Sequence, residues 1–197
     1  MPLDFLTVFV SMFVIIDPLI AIPTFLALFG KADRAKQKKA AMEASAAALM
    51  LLVAFALFGT ALLQRMSISL PAFMIAGAIL LLYLSFEFIK GDLPRTRTVE
   101  RDAADVIVPV ATPLLAGPGA ITTSIYFTHI YGAEITLAAI FFVCFICFFF
   151  LYYSTRILKI IGNNGLKIFS RIMGILTAAI AISLVEKALV AWGVLVI

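Results

Sequence analysis

Long charge-free runs limit what this chain can fold into more than any other feature of its sequence. Ala44 to Gln64, Met66 to Phe86 and Ile135 to Thr155 each run about 21 residues without a formal charge, and Val106 to Ala133 is longer. A helix that crosses a bilayer needs roughly 20 mostly apolar residues. Phe5 to Phe29 makes a fifth run, interrupted by Asp17. Ile172 to Ile197 makes a sixth, with Glu186-Lys187 near its far end and Trp192 placed as an interfacial anchor. The chain has 197 residues, 64% of them hydrophobic and 13% charged, too few polar groups to coat a soluble particle. These runs predict an all-α polytopic membrane protein with six transmembrane helices.

Charge sets the expected orientation. The first loop carries Lys31, Arg34, Lys36, Lys38 and Lys39; the third Lys90, Arg95, Arg97 and Arg101; the fifth Arg156, Lys159, Lys167 and Arg171. Cytoplasmic loops are enriched in Lys and Arg, so all three belong inside and both termini outside. The opposite side has Arg65 and Lys187. The net charge of +4 is therefore read as membrane topology, not as a nucleic-acid partner. Lys31 to Lys39 reads as a solvated loop beside anionic lipid heads. No basic residue precedes the first apolar run, so that run is expected to be retained. Cys144 and Cys147 form a Cys-x-x-Cys inside an apolar helix, where they read as small packing residues.

Two proline-marked stretches resemble each other. Asp17-Pro18-Leu19-Ile20-Ala21-Ile22-Pro23 and Thr112-Pro113-Leu114-Leu115-Ala116-Gly117-Pro118 share Pro-Leu-x-Ala-x-Pro in register. Each opens a set of three expected helices. The first set spans 1–91, with helices near 5–29, 43–64 and 68–90. After a cytoplasmic linker over 92–105, the second spans 106–197, with helices near 106–128, 134–157 and 171–195. Three is odd, so the second copy enters the membrane from the other side, and the basic loops reverse to match. The expectation is a 3+3 inverted repeat with helices 1 and 4 broken, a pattern of secondary transporters whose site lies near the bilayer midplane.

The breaks define the candidate site. Asp-Pro and Thr-Pro each read as a helix cap followed by a first-turn proline. Pro18, Pro23, Pro113 and Pro118 donate no amide hydrogen, so carbonyls are released at mid-membrane depth, where they must be buried in protein or line a wet cavity. A small zwitterion fits these parts. Its carboxylate would meet the amides of Gly117, Gly119 and Ala120, and its ammonium Asp17 or freed carbonyls. Ala21, Ala116, Gly117 and Gly119 leave room; Thr122, Thr123 and Ser124 offer hydroxyls, or bond back onto their own helix. A charge at the depth of Asp17 costs roughly 2.5–3.5 kcal/mol on insertion scales. It reads as a cap, as a site for a coupling proton or sodium ion, or as both. Thr112, its repeat mate, can cap but cannot titrate. Glu87 and Arg171, near cytoplasmic helix ends, read as snorkelling groups or a gate. His129, beside Tyr126 and Tyr131, reads as interfacial.

Ile16-Asp17-Pro18-Leu19-Ile20-Ala21-Ile22-Pro23-Thr24-Phe25, Ser69 to Gly77, Pro113 to Thr123 and Arg171-Ile-Met-Gly174 together resemble the MarC family, also called the neutral amino acid transporter family. The resemblance covers nearly the whole chain. It implies six helices in the bacterial inner membrane and, for some members, transport of small neutral amino acids such as glycine or alanine. Two departures stand out: Asp17 where many members carry Asn, and Met74 where an Arg is usual, which removes a match to Arg171. No cofactor is expected, and a homo-oligomer is compatible with this reading. The competing readings are a membrane-embedded accessory or scaffold protein without flux, and an exporter of another small solute. An enzyme ranks behind these, because one His and scattered acids do not converge.

Overall fold

The computed structural model describes residues 2–30, 32–90 and 115–195, and these are helical almost throughout. In chain order the helices are α1 (Pro2–Ile16), α2 (Pro18–Phe29), α3 (Arg34–Arg65), α4 (Leu70–Lys90), α5 (Pro118–Tyr131), α6 (Ala133–Tyr152) and α7 (Ser154–Ala191). Among the described residues, five stretches are long and apolar enough to cross a membrane: Leu3–Leu26, Arg34–Arg65, Leu70–Lys90, Ala133–Tyr152 and Asn164–Ala191. Of the fourth expected helix, 106–128, only the part from Leu115 onward is described, and the expected linker lies outside the described residues.

Local chemistry explains most helix ends. Asp33 caps α3 by accepting from the Lys36 amide at 2.8 Å. That cap carries α3 back to Arg34, ahead of the expected start near 43, so the basic run of the first loop is mostly helical. Gln37 folds over the end of α2, its Nε2 donating to the carbonyls of Phe29 at 3.0 Å and Ala32 at 3.1 Å. Ser69 accepts from the Ala72 amide at 3.3 Å and opens α4. Gly132 alone joins α5 to α6, and its φ of 86° is a conformation that favours glycine. The fifth loop is also helical. α7 runs from Ser154 and turns at Gly162, where φ is 68° and ψ 169°, before its membrane-length segment begins at Asn164, ahead of the expected 171.

The contacts fix helix directions. Phe5 meets Phe142 edge-on at 6.1 Å and Phe13 meets Phe150 at 6.4 Å, so α1 and α6 run the same way. Gly77 lies against Thr122 and Leu81 against Gly119, so α4 and α5 run opposite ways. The last turns of α4 meet α7 early in its membrane-length segment: Gly174 packs on Ser85, Phe88 and Ile89, and Ser170 Oγ donates to the Phe88 carbonyl at 3.3 Å. α3 packs along α6 and α4 along α7, and one continuous apolar core runs through the bundle. Cys144 and Cys147 lie in that core as free thiols, in keeping with a packing role.

One end of the bundle gathers the starts of α3 and α7 and the end of α4, with most of the described Lys and Arg. The other end has Arg65 and Lys187, whose Nζ sits 5.2 Å from the centre of the Tyr126 ring. Outward faces carry Phe141, Phe142, Phe145 and Phe149 exposed, as lipid contact requires.

Candidate functional site

Asp17 ends α1 and starts α2. Its own amide still donates to the Phe13 carbonyl at 3.0 Å, completing α1. It then turns into the left-handed region, φ 44° and ψ 74°, unusual for a residue with a side chain. Oδ1 accepts from the Ile20 amide at 3.2 Å, and Pro18 takes the first helical position, where a missing N–H costs nothing. The expected restart is therefore present. Asp17 is 4% exposed, and its Oδ2 is buried with no hydrogen-bond partner.

Magnitudes separate the two roles of this carboxyl. A capping side chain contributes about 0.5–2 kcal/mol, and Asn caps as well as Asp. A charge at mid-membrane costs roughly 2.5–3.5 kcal/mol on insertion scales, and an unpaired buried polar atom about 1–3 kcal/mol. Capping explains Oδ1 and leaves Oδ2 unexplained.

The second break is described at Gly117-Pro118. Gly117 is extended, φ −65° and ψ 167°, and caps α5 without a side-chain bond. The amides of Gly119 and Ala120 thus begin a helix with no partner inside it. Thr112 and Pro113, the expected restart of the second motif, lie outside the described residues. Ala116, Gly119 and Ala120 are buried, Gly117 is half-buried and Pro118 exposed. In the first break Pro18 and Ala21 are buried and Pro23 is half-buried.

The hydroxyls divide. Thr122 Oγ1 donates back to the Pro118 carbonyl at 2.9 Å and Ser124 Oγ to Ile121 at 2.7 Å. Thr123, fully buried, keeps its Oγ1 without a partner, as does Thr177 on α7. Gly119 does not leave open room, because Leu81 occupies the space a Cβ would need. Glu87 is half-buried, whereas Arg171 is exposed.

Both breaks belong to the same apolar core, through Ile16 and Ala21 on one side and Leu115, Ala116 and Ala120 on the other. Two cavities open elsewhere. One of about 170 Å³ lies between α3 and α6, bordered by Met42, Ser45, Cys144 and Phe148. One of about 320 Å³ lies at the basic end. Neither of these two is lined by a residue of the breaks. Sequence reasoning missed Leu81 and Thr177, since a leucine or a threonine in an apolar helix carries no distinguishing signal.

These features define a multi-pass α-helical membrane protein whose first span is broken around a buried carboxyl. The description "MarC family integral membrane protein" matches residues 3–192, and the chain belongs to that family. It is 35% identical to a UPF0056 membrane protein of Methanocaldococcus jannaschii, covering 94% of this chain and 95% of the relative. It is 30% identical to a UPF0056 membrane protein of Aquifex aeolicus, covering 94% and 92%. A UPF0056 membrane protein of Chlamydia trachomatis is 33% identical, covering 86% and 84%. No solved structure matches the chain.

Proposed function

We propose that this protein is a secondary transporter that moves a small neutral amino acid, of the glycine, alanine or serine class, across the bacterial inner membrane by alternating access. The moving parts are two three-helix units of opposite direction, helices 1 to 3 and 4 to 6 in a 3+3 inverted repeat, with both termini outside. Supporting the inversion, α1 runs with α6 and α4 runs against α5 and α7. Supporting a pseudo-two-fold relation, α2 packs on α7 as α5 packs on α4, and α2 on α6 as α5 on α3. Supporting the orientation, the basic end carries the loops that the positive-inside rule assigns to the cytoplasm.

The observation that carries the proposal is the Asp17 carboxyl, half used as a cap and half unpartnered at a break in the first span. In this reading the burial of Asp17 and the packing of Leu81 on Gly119 belong to an occluded state. Opening the breaks exposes the amides of Gly119 and Ala120 to a carboxylate, and Asp17 to an ammonium, proton or sodium ion. Thr123 Oγ1 is the third polar group available to the solute. The accessory reading draws on the burial of Asp17 and the tight packing of Leu81 against Gly119.

Purified protein in liposomes, tested for uptake of labelled glycine, alanine and serine with and without proton or sodium gradients, separates the two. Transport gives saturable uptake of at least one of the three. An accessory protein gives none under any gradient.

A further inference from the structure

The 320 Å³ cavity at the basic end lies between the first turns of α3 and α7. Arg34 and Gln37 face it from α3; Tyr152, Tyr153, Arg156 and Lys159 face it from the α6–α7 junction. Three of these side chains are cationic, and no acid is found among the described residues that line it. The acids nearest in sequence are turned to other lysines: Asp33 Oδ2 lies 3.9 Å from Lys36 Nζ, and Glu43 Oε1 3.7 Å from Lys39 Nζ. Arg156 stands 5.7 Å over the Tyr153 ring, which holds its guanidinium beside the cavity.

The setting is the membrane interface. The segment from Ser154 to the Gly162 turn carries Arg156 and Lys159 alongside Ile160, 84% exposed, and Ile161. Charged and apolar groups exposed together on one short helix suit the headgroup boundary of a bilayer. Tyrosines are enriched at that depth.

We propose that this cavity binds an anionic phosphate group, with Arg34 from one helix and Arg156 and Lys159 from another closing around its oxygens. Arginine's fork of donors suits phosphate oxygens, and basic pockets between spanning helices on the cytoplasmic side take phosphorylated lipid heads. The phosphate is supplied either by an anionic phospholipid or by free phosphate. The site stands whether or not the bundle carries a solute.

The test is lipid retention by purified protein, read by native mass spectrometry after extraction from nanodiscs of equal phosphatidylglycerol and phosphatidylcholine. A parallel titration uses inorganic phosphate in detergent. Wild type retains phosphatidylglycerol preferentially, and Arg34→Gln and Arg156→Gln each lower that retention about fivefold. The double control Lys38→Gln with Lys167→Gln removes two charges from the same end outside the cavity, one more than either arginine variant, and leaves retention intact. Saturable inorganic phosphate binding that both arginine variants lose, without lipid preference, assigns the site to free phosphate. The proposal is overturned if both arginine variants bind lipid and phosphate like wild type, or if the control variant loses as much as they do. All these side chains are exposed, and unchanged elution and melting in phosphatidylcholine establish folding of each variant.

Discussion

Gly77 on α4 lies directly against Thr122 on α5, so that a Cβ on Gly77 would overlap the threonine side chain. The contact brings the helix after the second break close against the backbone of α4. Thr122 is pinned there by its bond to the Pro118 carbonyl at 2.9 Å and is fully packed. Gly77→Val is expected to destabilise the protein by about 1–3 kcal/mol, the usual cost of overfilling a packed site. Thermal melting in detergent checks this, and Thr122→Ala should recover part of the loss by removing the obstructing atoms. Melting unchanged by Gly77→Val would mean that α4 and α5 are not held this closely.

Asp17 gives a sharper stability contrast. Asp17→Asn keeps the acceptor for the Ile20 amide and removes the buried charge, so melting should stay at or above wild type. Asp17→Ala removes the cap and should cost about 0.5–2 kcal/mol. Equal destabilisation by both variants would place the carboxylate charge itself in the folding energy, contrary to an unpartnered Oδ2.

The direction of the bundle can be read by labelling single cysteines in a background with Cys144 and Cys147 replaced by alanine. Both native thiols are buried in the core, and removing them should cost a modest amount of stability. A membrane-impermeant maleimide applied outside intact cells should label a cysteine at Arg65 or Lys187 and spare one at Lys38 or Lys167. Inside-out vesicles should reverse the pattern. Labelling of Lys38 and Lys187 positions from the same side would remove the basis for two opposed units.

Several parts of this architecture were legible in the sequence because they follow from short-range chemistry. Asp17-Pro18 announces a cap and a restart, and both are present. The spans follow from apolar length, and the crowding of Lys and Arg at one end follows the loops in which they were read. What escaped were consequences of packing between distant segments. Gly119 looks like open space in sequence and is filled by Leu81. Arg34 and Arg156 are far apart along the chain, and only the docking of α3 beside the α6–α7 junction puts them around one cavity. Helix ends slipped for another reason: Lys and Arg mark where a span leaves the membrane, not where its helix stops, so α3 and α7 continue through residues read as loop.

The central claim is that the two breaks form a gate through which a small amino acid passes with Asp17 as the coupling group. It is tested most directly by imposing an inward proton gradient on proteoliposomes and comparing labelled glycine or alanine accumulation by wild type and Asp17→Asn, with solute exchange at equal concentrations as the companion reading. Accumulation above equilibrium by wild type, lost in Asp17→Asn while exchange persists, is the expected result. Identical accumulation by the two proteins would reduce Asp17 to a helix cap, and the absence of saturable flux in both would remove the passage altogether.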